Sequence, residues 1–389
     1  MKVDLSFFKK NKDSFFIAGF LFAMLLLKLP APDEMSSFST TPYFVSNKLG
    51  IVSRSFIGNI IFTFTDFLSE KTLYTVILIF TCLMICMLSF LAGYVIKKLD
   101  GDLQQTARFT ALLYLLLPTS VIFLFKDINF GRFDLYQIIL SMILSVVASK
   151  KGFHYLCPVI MAVGIMIHQV NIFYMPFCVI ALLLEIKKSG FKKSRIITTV
   201  ISVVAVVSLF FYYQFYPKTL NFATAEEAAA FLQQFTDIEI SSSVLFGEYY
   251  SNVFELWRSY VWPILRGDSI PDLLFVFPFL IPVFVLFFVL WKGAFKKAED
   301  SFSKFIFFLA LISPLASLPQ FILINDYGRW FAALFINQFF TLFYMLYRKE
   351  NAVSESLLSI RDFFKKHTVA LVMLIIWMAC VLASASYNM

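Results

Sequence analysis

The sequence is short of charge. Only 15% of its 389 residues are Asp, Glu, Lys or Arg, against about 25% in an ordinary soluble protein. That deficit excludes a water-soluble domain of usual make-up. The marks of nucleotide and hydrolase chemistry are missing too: there is no P-loop, no glycine-rich dinucleotide turn and no nucleophile elbow. Five cysteines, Cys82, Cys86, Cys157, Cys178 and Cys380, all fall in apolar runs without metal-site spacing. They read as small buried hydrophobes and identify no redox compartment. Histidine is scarce, with three in the chain. His154 and His367 stand beside basic segments and read as interfacial, which leaves His168 as the histidine suited to proton chemistry.

What is abundant is hydrocarbon, 60% of the residues. Apolar runs of about 15–22 residues recur from end to end, the length that crosses a bilayer core of about 30 Å. The expected fold is all-α, a polytopic integral membrane helical bundle forming one domain over residues 1–389. About eleven transmembrane helices are expected, with the N-terminus inside and the C-terminus outside. Lys2, Lys9, Lys10 and Lys12 precede the first run and no small-residue cleavage site follows it, so it reads as a retained signal anchor.

In chain order the expected spans are 14–29, 72–96, 109–125, 133–149, two within 153–186, then 196–215, 273–291, 305–324, 330–347 and 368–384. Residues 30–71 form a first outer loop whose part 45–68, with Arg54 and Asp66, reads as an interfacial segment. Residues 216–272 form a large outer loop, and 348–367 a polar inner linker. The stretch 153–186 has basic residues at both ends. As one helix it would be roughly 50 Å long, so it reads as two short arms with a tip at His168-Gln169-Val170-Asn171. Arms that short place the tip below the outer surface, in a protein-lined cavity.

Charge follows this topology. Inner segments hold 23 of the 33 Lys and Arg and 10 of the 25 Asp and Glu, a net of +13 inside against −5 outside. The basic excess obeys the positive-inside rule and is not the footprint of a nucleic-acid partner.

Two outer charged knots resemble one another. One holds Lys126, Asp127, Arg132 and Asp134; the other reads Asn325-Asp326-Tyr327-Gly328-Arg329-Trp330. In both, an arginine follows glycine, precedes an aromatic residue and opens a span. A helix N-terminus favours anions, and a guanidinium fork suits phosphate or diphosphate oxygens. Arg132 and Arg329 are therefore the first candidates, with Lys126 and Trp330 beside them. Each arginine equally suits a salt bridge to its neighbouring aspartate. His168, with Gln169 and Asn171, is the second candidate: polar groups in a membrane hairpin are costly unless they line a cavity, and imidazole can take a proton from a hydroxyl. Asp33, Glu34, Asp127, Asp134 and Asp326 remain open as base, ligand to a divalent metal ion, or salt-bridge partner. No cofactor is required by any motif.

Arg132 at a span start, the dilysine Lys150-Lys151, and an apolar run reaching His168 and a helix bearing Pro176 resemble the core of bacterial O-antigen and exopolysaccharide polymerases of the Wzy/EpsG-like type. The likeness covers roughly 127–186. In the place where such polymerases often carry Arg and a Gly-Thr-Asp-like motif, this chain has Pro-Ala-Pro-Asp33-Glu34-Met. An acidic pair after the first span is more similar to membrane glycosyltransferases of the GT-C type. The resemblance implies a cytoplasmic-membrane enzyme of a bacterial cell envelope that moves sugar units from a polyprenyl-diphosphate-linked glycan to a glycan acceptor at the outer face, working among membrane lipid and other polysaccharide assembly proteins. It implies Arg132, Arg329 and Lys126 on the diphosphate, and His168 or an outer carboxylate (Asp326, Asp33 or Glu34) as base. The alternatives are a single-sugar transferase using the same donor class, a flippase or solute carrier for lipid-linked oligosaccharide, and a structural or acyl-transfer membrane protein.

Overall fold

The computed structural model describes residues 10–126, 128–215, 219–250, 270–317 and 327–377. Among the described residues, fourteen helices of eight or more residues organise the fold: α1 (Lys12–Lys28), α2 (Ser55–Phe64), α3 (Glu70–Lys98), α4 (Gly101–Leu116), α5 (Asp134–Ser149), α6 (Cys157–Ile167), α7 (Asn171–Lys188), α8 (Lys193–Phe215), α9 (Ala225–Leu232), α10 (Ile270–Lys297), α11 (Ser301–Ile312), α12 (Tyr327–Tyr347), α13 (Asn351–Lys366) and α14 (Thr368–Trp377). Among the described residues, strand structure is limited to β1 (Gly50–Ile51) and β2 (Thr219–Leu220), an antiparallel pair.

Four helical stretches among the described residues are long and apolar enough to cross a membrane: Glu70–Lys98, Gly101–Phe125, Lys193–Tyr213 and Gly328–Tyr347. The outward faces of two of them, α3 and α8, are apolar as well. Ile79, Val200, Ile201 and Val204 are exposed, a belt that suits lipid and not water. The chain is a membrane protein with a helical fold.

Contacts at the helix ends give the bundle two faces. Asp134 at the start of α5 meets Arg329 at the start of α12. At the other end, Glu185 late in α7 meets Arg348 just beyond α12, and Tyr94 late in α3 meets Tyr347. Helices α3, α5, α7 and α12 thus run in one direction, from a His168 end to a lysine-rich end. Helices α1, α4, α8 and α11 run in the opposite sense. Asp13 at the start of α1 pairs with Arg108 of α4 at 2.8 Å, Arg195 at the start of α8 donates to the carbonyl oxygens of Ala148 and Lys150, and Asp300 ahead of α11 stands 3.5 Å from Lys187.

The hairpin forms as its length requires: α6 and α7 are separated by His168-Gln169-Val170. Pro176 lies inside α7 and interrupts its hydrogen-bond ladder. The repair comes from α12. The Asn337 side chain accepts from the Phe177 N–H at 3.0 Å and donates to the Phe173 carbonyl. One amide therefore satisfies both groups of a broken i, i+4 pair, as a proline-bearing helix away from water requires. The same contact fixes α7 against α12.

The expected span 109–125 falls on a helix that stops at Leu116, because Leu117 precedes Pro118 and is extended; a 3-10 turn, Val121–Phe125, completes it. The polar linker 348–367 is mostly helical. It forms α13, with Val353, Leu357 and Ile360 buried, because those three recur at helical spacing under a charged outer face.

At the His168 end the two long connections fold on each other. β1 pairs with β2, the Leu68 N–H donates to the Phe235 carbonyl at 2.9 Å, and the Glu70 N–H donates to Asp237 at 2.7 Å. Helix α9 forms on the stretch Ala-Glu-Glu-Ala-Ala-Ala-Phe-Leu. Helix α2 leaves Ile60 and Phe64 exposed, in keeping with an interfacial segment.

Candidate functional site

The site grows from three helix starts. Before α5 the chain turns at Gly131, whose φ of 91° is left-handed. A Cβ there would meet only the movable tip of Ile77, Cδ1 at 2.8 Å, so it is the backbone conformation that calls for glycine. The turn is pinned by Tyr43 from the first long connection, whose hydroxyl donates to the Gly131 carbonyl at 2.7 Å and lies 3.1 Å from the Tyr136 hydroxyl. Burial and Tyr136 push the Tyr43 phenol well above its usual pKa, so it serves as a donor and not as a base. Arg132 follows, nearly buried, with its guanidinium 4.8 Å over the Phe38 ring and its Nε 3.4 Å from the Ile128 carbonyl.

The hairpin tip is built by close packing. Asn171 lies directly on Gly164, so that a Cβ at 164 would collide with its amide. Asn171 donates to the Met161 carbonyl at 3.2 Å, and Gln137 donates to the Gly164 carbonyl at 3.0 Å. These bonds satisfy the frayed end of α6 and aim His168 inward. Its ring lies edge-on to Phe133 at 6.2 Å.

From the third start, on α12, Arg329 bridges the other two. Its Nε lies 2.7 Å from Asp134 Oδ2, and a terminal nitrogen lies 3.0 Å from His168 Nε2. The Tyr174 hydroxyl donates to the other Asp134 oxygen at 3.2 Å. Asp134 is fully buried, and a buried carboxylate needs such partners. The result is a connected row, His168–Arg329–Asp134–Tyr174, drawn from four places in the sequence. Three guanidinium groups act electrostatically on the His168 ring, in order Arg54, Arg329 and Arg132. With Asp134 these four groups carry a formal charge of +2.

His168 has an unusual pair of neighbours. Nδ1 receives the Val170 N–H at 3.0 Å, and Nε2 faces a guanidinium that can only donate. A neutral imidazole has one acceptor nitrogen, so it can satisfy one of these donors at a time. An electropositive niche of this kind can receive an anion, and only an anion seated there would offset the burial and the three guanidinium charges that oppose a proton on His168.

Other candidates fall in different places. Trp330 is buried, with the Arg329 guanidinium 5.3 Å from its ring and Phe173 5.2 Å away edge-on; it supports Arg329 by packing. Gln169 is half-buried at the tip and Lys126 half-buried on the turn before Arg132. Asn171 is spent on the hairpin's own backbone. Asp33 and Glu34 are exposed on a 3-10 turn, where Glu34 accepts from the Ala31 N–H at 2.9 Å, and they do not join the row. Asp127 and Asp326 lie outside the described residues. Among the described residues no group of three His, Cys, Asp or Glu side chains is placed to hold a metal ion.

Arg54 and Tyr174 were not singled out as site residues from sequence. Arg54 is left-handed (φ 64°) immediately before α2, a conformation uncommon outside glycine. Tyr174 falls one helical turn beyond Asn171, but one aromatic in a chain with 50 Phe and 17 Tyr carries no mark of its own. Comparison with protein-family models, with curated proteins and with solved structures finds no match.

Proposed function

We propose that this protein is a bacterial cytoplasmic-membrane glycosyltransferase of the polysaccharide-polymerase kind, acting on a polyprenyl-diphosphate-linked glycan at the outer face. The observation that carries the reading is the placement of Arg329 between Asp134 and His168, inside a niche that Arg54 and Arg132 make positive. Alternating helix directions and the charge bias of the connections support an eleven-span topology with the His168 end outside.

In this reading the donor diphosphate enters the arginine niche. Its oxygens compete for the terminal nitrogen of Arg329 that otherwise faces His168 Nε2. Arg329 keeps its hold on Asp134 and turns the terminal nitrogen that faced His168 to the diphosphate, and His168, in the tautomer that carries its proton on Nδ1 and gives up the Val170 N–H, presents Nε2 to an acceptor hydroxyl. The hydroxyl oxygen bonds to the anomeric carbon, the bond from that carbon to the diphosphate oxygen breaks, and the proton passes to His168. The electron pair leaves with the diphosphate, whose growing charge Arg54, Arg132 and Arg329 meet. Tyr174 holds Asp134 in place. Such coupling lets donor binding switch on the base.

The test is complementation of a deletion strain with wild type, His168→Ala and Arg329→Lys, at matched protein level, reading surface glycan length on a gel. Restored long glycan with wild type, and accumulated single lipid-linked units with both variants, is the expected result. Loss of even the complete single unit assigns a transferase that builds the unit. Unchanged glycan in all three sends the assignment to transport.

A further inference from the structure

A second feature lies far from the arginines. Helices α1, α3, α4, α5, α7 and α12 enclose a cavity of about 230 Å³; a single water needs only about 10–15 Å³ of such space. Its walls are almost wholly apolar, with Leu88, Ala92, Leu115, Met142, Phe340 and Phe343 among them. An apolar void of this kind holds hydrocarbon in preference to water.

Its position along the helices is specific. On α5 it begins at Met142, eight residues or about 12 Å past Asp134, and it runs to Ser149 and Lys150. On α12 it is lined from Phe339 to Tyr347, ten or more residues beyond Arg329. It therefore reaches the lysine-rich end of the bundle. Tyr94 lines that end, exposed, with its ring 6.0 Å from Tyr347 and Lys98 5.5 Å above it.

The cations at this rim differ from those nearby. Lys187, Lys188 and Lys297 each stand within ion-pair distance of a carboxylate. Among the described residues no carboxylate pairs with Lys98 or Lys150, and both are exposed. Two cations beside the mouth of an apolar slot are complementary to a lipid headgroup of negative charge.

We propose that this cavity holds an acyl chain of an anionic phospholipid from the leaflet at the lysine end, with Lys98 and Lys150 on its phosphate. The isoprenoid tail of a lipid-linked sugar fits less well. Its diphosphate would sit with the arginines, so its chain would descend from the opposite end and bring no anion to the lysines.

The test uses the full-length protein in mild detergent, exposed to vesicles of phosphatidylglycerol or of phosphatidylcholine, re-isolated and examined by native mass spectrometry. Phosphatidylglycerol should remain bound and phosphatidylcholine should not. Lys98→Gln/Lys150→Gln, both exposed and neutral to folding, should weaken retention roughly thirtyfold. Ala92→Trp, which fills the slot, should abolish it. Equal retention of both lipids, retention of neither, unchanged retention in the lysine variant, or recovery of an isoprenoid lipid in the slot would each overturn the proposal.

Discussion

A terminal nitrogen of Arg329 lies 3.0 Å from Nε2 of His168, across 161 positions of sequence. The same side chain holds Asp134 at 2.7 Å. One guanidinium thus joins the hairpin tip to the start of α5, and the consequences of removing it depend on which partner is left behind.

Arg329→Ala should leave Asp134 buried with Tyr174 alone, at a cost of about 3–5 kcal/mol. Adding Asp134→Asn should recover most of that stability, because the stranded charge is gone. Activity should not return, since no guanidinium reaches His168 or the donor. Thermal melts and glycan synthesis on the two single variants and the pair check this. Recovery of synthesis along with stability would make the arginine structural only.

Asn337→Leu keeps the size of the side chain and strands the Phe173 carbonyl and the Phe177 N–H beside Pro176. Each unsatisfied buried group costs about 1–3 kcal/mol, so a loss of about 2–6 kcal/mol is expected. Pro176→Ala in the same chain restores the N–H at 176 and should ease the local strain without replacing the tie between α7 and α12. Denaturation of the variants in detergent measures both effects.

Gly164→Ala drives a Cβ into the Asn171 amide. The hairpin tip must shift, and His168 with it. Synthesis should fall at least tenfold, within the roughly hundredfold that a misplacement of about 1 Å can cost a reacting group, while the helical bundle remains folded. Gly190→Ala, at a turn where a Cβ would meet nothing but φ is 66°, should affect stability alone.

Asp300 accepts hydrogen bonds from the Ser303 N–H at 2.7 Å and the Ser303 hydroxyl at 2.6 Å. These bonds hold its carboxyl below the usual value of 3.8. A group whose folded pKa is depressed contributes stability above its unfolded value and loses it as pH falls through the folded value. Melting temperature should therefore drop as pH is lowered through and below 3.8. Asp300→Ala should remove this part of the acid dependence and cost about 1 kcal/mol at neutral pH, the usual worth of a helix cap.

The helical architecture and the polar tip were legible because a polar group inside an apolar run is expensive and stands out. His168, Arg132 and Arg329 could be named on that ground. Their pairing could not. The sequence left each arginine open to a salt bridge with its neighbouring aspartate and could not show that Asp134 meets Arg329, a contact made by the parallel starts of α5 and α12. Asn337 was invisible because no local rule couples an amide on one helix to Pro176 on another. Helix α13 was hidden by its own charge, since its apolar stripe is only three residues wide. Arg54 reaches the site through the folding of a long connection, which periodicity does not encode.

The most direct measurement of the central claim reconstitutes purified protein in liposomes with lipid-linked glycan extracted from the deletion strain. Lengthened glycan with release of polyprenyl diphosphate is expected from wild type, and neither product from the stably folded Arg329→Ala/Asp134→Asn pair. Glycan that crosses the bilayer without a new glycosidic bond, or a double variant as active as wild type, would contradict it.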